Sequence, residues 1–554
     1  MKQKHKLSIF LFLFLISFVK SFAQDFHLNI ISKNTIENSV LKDVQYQKIH
    51  KDTLSLNFEL TRISNYLKNI GYFLNTIKRV ERDNHNLIAY FSLDKKTTTV
   101  FIKINTDKAY LFKNRTLHNS SFSIPIYSLK ITLSNISKKL DAQGKSFSKV
   151  QLNNIKIRND TLFSTLSIYE SKKRIINQVI VKGYTSFPKS YIKNYFEINA
   201  SSIFNQNKIS QISTLSKNIP FIKEIKPPEV LFTKDSTQLF LYLKKQTNNS
   251  IDGIVSFTSE ENGKLLFNGI IDLKLNNILN IGEKFDLYWN RIAEERQEFK
   301  ISSKLPYIFN SKISPELSFS LYRQDSSFLN VKFNSKLFYL ISPKINAALT
   351  YTAESSENLI NAINEDIDTF SNYFLGVQLQ YIIPKNDFFF NNIFKVEVNP
   401  TFGNRKTNAS SSNQFKIEST ISYLWNVTDR NNVFLKNNTG YLKSDSFLNN
   451  ELFRIGGANS IRGFDEQSIF TSNYSYFNVE YQFLTSQTSY IYTITDIGFI
   501  DTASKKDTFI GLGFGYLFTT NNSRIKLSTA IGSNSSQSFN IKNSKLILNW
   551  INYF

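Results

Sequence analysis

Cysteine is absent from this chain of 554 residues. Its absence excludes a disulfide scaffold, a cysteine-based metal site and a lipid anchor on an N-terminal cysteine. Long hydrophobic runs are scarce as well, because Lys, Asn, Asp or Ser interrupts every apolar stretch beyond Val19. The chain is therefore expected to be either a soluble exported protein or a transmembrane barrel, whose strands give a much weaker hydropathy signal than helices do.

Histidine is rare and confined to the first quarter of the sequence, at His5, His27, His50, His85 and His118. The sequence also contains no Gly-x-Ser-x-Gly nucleophile elbow, no phosphate-binding glycine loop and no metal-ligand cluster. It therefore predicts no enzyme, no cofactor and no metal site.

The formal net charge of +23 comes mostly from lysines that are spread along the chain. Nucleic-acid binding would call for a basic patch with interleaved aromatic residues, and no such block is present. We expect no nucleic-acid partner, and we expect part of the charge to contact anionic lipid headgroups.

The N-terminus has the pattern of a signal peptide. Lys2, Lys4 and Lys6 precede an apolar stretch at residues 7–19, and small residues stand at positions 21 and 23. The apolar stretch is shorter than the roughly 20 residues that a membrane-spanning helix needs. We therefore predict that residues 1–23 are cleaved after Ala23 and that the mature chain is exported.

Residues 24–247 repeat with a period of 74 residues, marked by Phe73, Phe147 and Phe221. Each Phe follows a helix-like segment and precedes two strand-like segments, so the period indicates three copies of one supersecondary unit. The helix of the first unit has one apolar stripe. That stripe is formed by Leu60, Ile63, Leu67 and Ile70. Each unit is predicted as strand, helix, helix, strand, strand.

From about residue 250 onward, segments of about ten residues alternate apolar and polar positions between Asn-, Ser-, Asp- and Gly-rich turns. This is the pattern of a transmembrane β-barrel. We count 16 candidate strands, an even number as single-chain bacterial barrels require. A soluble β-sandwich is the alternative, but it would not need so many strands or so many aromatic residues suited to membrane interfaces.

The last candidate strand carries apolar residues at every second position, Leu546, Leu548 and Trp550, before the terminal Phe554. A terminal aromatic on an outward-facing strand is the signal by which barrel proteins are recognised for assembly. The predicted architecture is a transmembrane barrel of about 16 antiparallel strands preceded by small α/β domains. Its predicted domains are a signal peptide at 1–23, repeats at 24–97, 98–172 and 173–248, and a barrel at 249–554.

One loop motif lies between candidate strands 11 and 12. It joins Gly456 and Gly457 to the sequence Ile461-Arg462-Gly463-Phe464. This motif resembles the sixth-loop signature of the BamA/TamA/FhaC superfamily of outer-membrane assembly and translocation barrels. The repeats likewise resemble the polypeptide-transport-associated (POTRA) domains of that superfamily, and three repeats match TamA-like members best.

The resemblance implies that the loop folds back into the barrel lumen and that Arg462 meets acidic residues on the inner wall. Glu480 and Asp496 occupy the matching positions, on candidate strands 12 and 13. A guanidinium in a partly dehydrated lumen needs a carboxylate, and its planar fork accepts one or two. The sequence departs from the family pattern at residues 519–522, where Thr and Asn replace a Pro-x-Gly-Pro-type segment.

The resemblance implies a function in the outer membrane of a Gram-negative-type cell, with the repeats in the periplasm. The leading hypothesis is an assembly or insertion factor that acts on unfolded β-rich clients through the repeat arm and the barrel seam. The alternative is a two-partner-type secretion pore that exports one dedicated protein, and a passive porin is a third, weaker hypothesis. Expected partners are unfolded outer-membrane or secreted client proteins, outer-membrane lipid, and a periplasmic or inner-membrane accessory protein.

Overall fold

A computed structural model of the chain describes residues 25–83, 85–112, 120–246, 248–259, 265–292, 296–360, 366–385, 387, 389–501 and 506–554. The predicted signal peptide at residues 1–23 lies outside the described residues. The chain divides into two compact units. One runs to Arg174 and includes Ile203–Gln206, and the other comprises Ile175–Ser202 and Asn207–Phe554.

The first repeat is a four-stranded sheet with two helices. Its elements are β1 (Phe26–Ile31), α1 (Thr35–Lys42), β2 (Ile49–His50), α2 (Thr53–Asn69), β3 (Thr76–Asp83) and β4 (Asn86–Ser92). The strand order is β2-β1-β4-β3, and β1 runs parallel to β4. Asp52 begins α2 by accepting a hydrogen bond from the Ser55 N–H at 2.7 Å. The predicted stripe of α2 faces the sheet, with Ile63 and Leu67 fully buried.

The second repeat has the same sheet with one different helical element. Its elements are β5 (Thr99–Lys103), a 3-10 helix (Thr106–Phe112), β6 (Ser121–Pro125), α3 (Leu129–Ala142), β7 (Lys149–Arg158) and β8 (Thr161–Tyr169). The strand order is β6-β5-β8-β7. The first two repeats therefore each contain one strand more than was predicted. The additional strand is β2 in the first repeat and β6 in the second. The predicted first helix of the second repeat is a 3-10 helix whose Leu111 and Phe112 are buried.

The third repeat follows the predicted order of five elements. These are β9 (Gln178–Lys182), α4 (Lys189–Asn194), α5 (Gln206–Lys217), β10 (Ile222–Phe232) and β11 (Thr237–Lys245), with strand order β10-β11-β9. The 74-residue period marks the turn that precedes the two-stranded hairpin of each repeat. The marker residues differ in environment, because Phe221 is buried whereas Phe147 is 52% exposed.

The remainder of the chain forms a closed barrel of 16 antiparallel strands among the described residues. The strands up to the loop motif are β12 (Ser250–Ser259), β13 (Leu265–Asn276), β14 (Lys284–Ile292), β15 (Arg296–Lys304), β16 (Ile313–Gln324), β17 (Phe328–Ser342), β18 (Ile345–Asn358), β19 (Phe370–Pro384), β20 (Asn392–Thr407), β21 (Ser411–Asn426) and β22 (Asn431–Lys443). A short hairpin, β23 (Phe453–Ile455) and β24 (Ile469–Thr471), lies within the loop. The barrel then continues with β25 (Asn473–Leu484), β26 (Ser489–Asp501), β27 (Lys506–Thr519), β28 (Ser523–Ser533) and β29 (Lys545–Tyr553). The predicted fold class and strand number are confirmed.

Side chains of the barrel strands alternate between an apolar outer face and a largely polar inner face. On β19, Leu375 and Leu379 are more than half exposed, whereas Gln378 between them is buried. A band of exposed leucine and phenylalanine suits a barrel whose outer surface contacts lipid. None of the helices in the described residues is both long and apolar enough to span a bilayer.

The third repeat packs against the turns at one end of the barrel. The Tyr191 and Tyr307 rings meet edge to face with centroids 4.9 Å apart. The Tyr184 hydroxyl donates to Asn280 Oδ1 at 2.7 Å and accepts from Asn277 Nδ2 at 2.9 Å. These contacts place the third repeat at the turns that follow β13 and β15, the end where the barrel chain begins.

Candidate functional site

The loop between β22 and β25 enters the barrel and packs against the inner wall. Glu480 on β25 and Asp496 on β26 are buried, whereas their neighbours Tyr481 and Phe499 are exposed on the outer face. Because side chains alternate along a strand, the two carboxylates point into the lumen. Arg462 lies in the part of the loop that reaches the wall, here called the loop end. It is 5% exposed and contacts both carboxylates.

Arg462 is held by four hydrogen bonds. Its Nε and Nη2 atoms donate to the two oxygens of Asp496 at 2.8 and 2.6 Å, and Nη1 donates to Glu480 Oε1. The Arg462 backbone N–H adds a bond to Asp496 Oδ2 at 2.8 Å. The guanidinium thus engages one carboxylate with two parallel bonds and a second carboxylate with one, which fixes both the position and the plane of the loop end.

Each carboxylate has further partners on the wall. Asn478 Nδ2 donates to Asp496 Oδ1 at 2.8 Å and to the Ser460 carbonyl at 2.6 Å. Gln482 Nε2 donates to Glu480 Oε2 at 3.0 Å, and Lys526 Nζ lies 3.7 Å from Glu480 Oε1. Loop backbone, loop side chain and wall side chains therefore form one buried network, in which the charges are paired rather than left in the lumen.

The remaining motif residues shape the approach of the loop to the wall. Gly463 has φ +96°, and a Cβ there would meet the backbone of Ile531 and Gly532 on β28. A Cβ on Gly511 of β27 would clash with the Arg462 carbonyl oxygen. Glycine on both surfaces therefore lets two backbones touch.

Apolar members of the motif fill the space between loop and wall. Ile461 is fully buried in a cluster that includes Tyr476, Ile500 and Phe509 of the wall. Phe464 meets Phe509 edge to face at 5.1 Å between ring centroids. Gly456 and Gly457 have φ values of +107° and +95° and turn the chain after β23.

A second buried ion pair at the base of the same loop was missed by sequence reasoning. Arg405 on β20 and Glu451 of the loop both have side chains 2% exposed and form an ion pair. Gln414 Nε2 on β21 donates to Glu451 Oε2 at 2.8 Å, and Arg405 Nη2 donates to Ser446 Oγ at 2.7 Å. The available signal was an arginine at an inward position of a strand, which requires a partner.

Asn450 adds a fully buried anchor beside this pair. Its Nδ2 atom donates to Ser356 Oγ at 2.6 Å and to the Asp368 carbonyl at 2.7 Å. Asn330 Nδ2 donates to the Asn450 carbonyl at 2.6 Å. The loop is therefore fixed at its base to the strands from β17 to β21 and at its end to β25 and β26.

The seam between β12 and β29 is the weakest interface of the barrel. In the described parts of both strands, only two residue pairs form its backbone ladder, Ser250 with Tyr553 and Ile251 with Asn552. Every other pair of adjacent barrel strands is joined by eight to fourteen such residue pairs. One further side-chain bond crosses the seam, from Asn549 Nδ2 to Asp252 Oδ2 at 2.8 Å.

The terminal residues lie at the paired end of this seam. The Phe554 N–H donates to the Asn249 carbonyl at 3.1 Å, and the Phe554 side chain is 53% exposed. Trp550 is 48% exposed on the outer face with Leu546 and Leu548. Among the described residues, no group of three or more His, Asp or Glu side chains could hold a metal ion.

A known protein family matches part of the chain. The family described as haemolysin secretion/activation protein ShlB/FhaC/HecB matches residues 259–518, from the end of β12 into β27. No curated protein matches the chain. This match covers slightly less than half of the chain.

Solved structures of CdiB show the same fold at low sequence identity. CdiB from Acinetobacter baumannii is 14% identical with a TM-score of 0.53, covering 83% of this chain and 90% of its own. CdiB from Escherichia coli is 13% identical with a TM-score of 0.51, covering 89% of this chain and 98% of its own. BamA from Haemophilus ducreyi lacking POTRA domains 1–3 is 13% identical with a TM-score of 0.46, covering 82% and 99%.

Proposed function

We propose that this protein inserts or assembles unfolded β-rich client proteins in the outer membrane, through the seam between β12 and β29. The observation that carries the proposal is the ladder of two residue pairs at that seam. Backbone groups that lack partners in lipid are costly, so an interface with few pairs offers open strand edges to an incoming strand. The third repeat, at the same end of the barrel, has β10 at an edge of its sheet, and under this proposal that edge faces the periplasm.

The proposal includes an outer-membrane location with the repeat arm in the periplasm, after removal of residues 1–23. It also includes the TamA-like subtype, which rests on the number of repeats. The proposed partners are the client chains, outer-membrane lipid and a periplasmic or inner-membrane accessory protein. Neither catalysis nor a cofactor enters this function.

A second candidate function, export of a dedicated protein through the lumen, is favoured by the family match. The matched family is described as haemolysin secretion/activation proteins. The lumen holds a cavity of ≈ 430 Å³ whose wall carries charges of both signs. That wall includes Lys300, Glu316, Lys332, Lys336, Lys416 and Glu418.

Locking the seam distinguishes the two functions. Ile251 and Asn552 are directly opposed, so the pair Ile251→Cys and Asn552→Cys is expected to form a disulfide under oxidation. Because the chain contains no native cysteine, the two thiols can bond only to each other within it. The lock is expected to abolish client assembly in proteoliposomes while the barrel stays folded, and reduction is expected to restore assembly.

The matched control is the pair Phe319→Cys and Phe333→Cys, which are opposed on the long interface between β16 and β17. That lock is expected to leave assembly unchanged. Full activity of the seam-locked protein would exclude insertion through the seam and favour the lumenal pore.

A further inference from the structure

The seam has two ends, one at the rim near the third repeat and one at the opposite rim, here called the outward end. The outward end lacks the backbone bonds that close the other end. The two residue pairs of the ladder lie at the start of β12 and the end of β29. Both strands continue for several residues toward the opposite rim, where no backbone pair joins the described parts of the two strands. Some other contact must bring the two sides of the barrel together at that rim.

The loop supplies such contacts in six consecutive residues. Arg462 binds β25 and β26, Gly463 touches β28, and Phe464 packs on Phe509 of β27. Asp465 then reaches the last strand, where its Oδ1 atom accepts from Lys545 Nζ at 2.6 Å. The chain thus meets the last five strands of the barrel and arrives at the edge of the seam.

The next two residues contact the other side of the seam. Arg296 Nη1, at the outward start of β15, donates to the Glu466 carbonyl at 2.5 Å. Gln467 Nε2 donates to Glu298 Oε2 on the same strand at 3.0 Å. Asp465 and Gln467 are therefore anchored on opposite sides of the seam, on the sixteenth and the fourth strand.

The segment that makes these contacts is braced against the motif. The Gln467 N–H donates to the Gly456 carbonyl at 3.2 Å, and the Ala458 N–H donates to Glu466 Oε2 at 2.9 Å. Ser468 Oγ donates to the Asp465 carbonyl at 2.9 Å. Residues 465–467, here called the strap, therefore move with the loop end that Arg462 holds.

We propose that the strap holds the outward end of the seam closed, so that the seam opens only when the strap leaves one of its two anchors. Asp465 and Lys545 form the anchor that releases, because their side chains are 74% and 40% exposed and such a pair is weak. Arg296 is 8% exposed and forms the firm anchor. This inference rests on the proposed function, since it assigns Asp465, Glu466 and Gln467 as positioning residues of that seam.

Charge reversal of the weak anchor tests the strap. Asp465→Lys and Lys545→Asp each place like charges together and so weaken this anchor. Each is expected to raise the frequency of large-conductance openings of the barrel in planar-bilayer recordings. The expected rise is about two- to fivefold, the range for an exposed ion pair. The double variant D465K/K545D restores opposite charges and is expected to return to the wild-type frequency. Asp325→Lys, in the exposed turn between β16 and β17, is the control for the change in net charge.

Each outcome decides between the inference and the proposed function. Unchanged openings in both single variants, or no rescue in the double variant, would overturn the strap if the seam lock still blocks client assembly. Full client assembly in the seam-locked protein would overturn the proposed function and the strap with it. Unheated gel migration identifies variants that fail to fold. If a charge-reversal variant fails to fold, Gln467→Ala and Glu298→Gln test the strap at its other anchor instead.

Discussion

The core of the arm consists mainly of apolar side chains, whereas the barrel buries several charged side chains as well. In the first repeat the fully buried residues include Ile63, Leu67 and Leu93. In the barrel, Arg405 and Asp496 are as deeply buried, while aromatic and aliphatic side chains are exposed on the outer face. The arm is therefore stabilised by removal of apolar surface from water, and the barrel by its strand ladders and by paired charges inside the lumen. Buried charge is costly unless it is paired. The paired charges inside the barrel therefore mark the part of the molecule where we expect function to lie.

The largest expected effect follows removal of Arg462. Arg462→Ala leaves two buried carboxylates without their shared partner, at a cost of roughly 3–5 kcal/mol. Asp496→Asn is expected to resemble it more closely than Glu480→Gln, because Asp496 accepts three of the four hydrogen bonds of Arg462 and Glu480 accepts one. Urea unfolding of the barrel, followed by unheated gel migration, measures the loss. Wild-type stability and activity in all three variants would contradict the role of the loop end.

A somewhat smaller effect is expected at the base of the loop. Arg405→Ala leaves one carboxylate, Glu451, which still accepts bonds from Gln414 and from the Leu448 N–H. We expect destabilisation by about 3 kcal/mol, the lower end for a broken buried pair. The same unfolding measurement checks it, with Arg323→Ala on the exposed part of β16 as the control. A loss equal to that of the control would mean that Arg405 is solvated.

Substitution in the arm is expected to leave the barrel intact. Leu67→Ala removes a fully buried side chain from α2 and is expected to destabilise the first repeat by roughly 2–3 kcal/mol. Leu54→Ala, on the same helix but 68% exposed, is expected to change stability by less than about 0.5 kcal/mol. Limited proteolysis of the full-length protein separates cleavage of the arm from loss of the barrel. Loss of the folded barrel band in Leu67→Ala would break the comparison.

The smallest expected effect concerns a surface cluster of the second repeat. Hydrogen bonds from Lys108 and then Lys145 lower the pKa of Glu170 from its usual 4.5 to about 2. A lowered pKa contributes stability above the unfolded value, and that contribution is lost as the pH falls from about 4.5 to about 2. Glu170→Gln is therefore expected to lower the Tm of the arm by a few degrees at most at pH 7. The difference from wild type should vanish near pH 2, and a difference that persists there would point to packing instead of charge.

The sequence predicted the fold well because both halves carry strong periodic signals. The two strands after each Phe marker and the strand count of the barrel depend on local alternation, which the structure retains. Arg462 was named because its loop motif resembles the superfamily signature, and Glu480 and Asp496 were named because they occupy the positions that this resemblance implies. Arg405 was missed because its partner Glu451 is 46 residues away and neither residue stands in a recurrent motif. The short ladder at the seam leaves no local pattern in the sequence, because it joins two strands that are distant along the chain.

The position of the loop end also bears on the order in which the barrel folds. Arg462 joins residues 18 and 34 positions away, whereas the side-chain bond across the seam joins residues 297 positions apart. Short loops close at a lower entropic cost and therefore earlier than long ones. The last five strands are expected to assemble around the docked loop as a folding nucleus, with closure of the cylinder as the final step. The interface with the fewest backbone pairs in the folded barrel is therefore also the interface that is expected to form last.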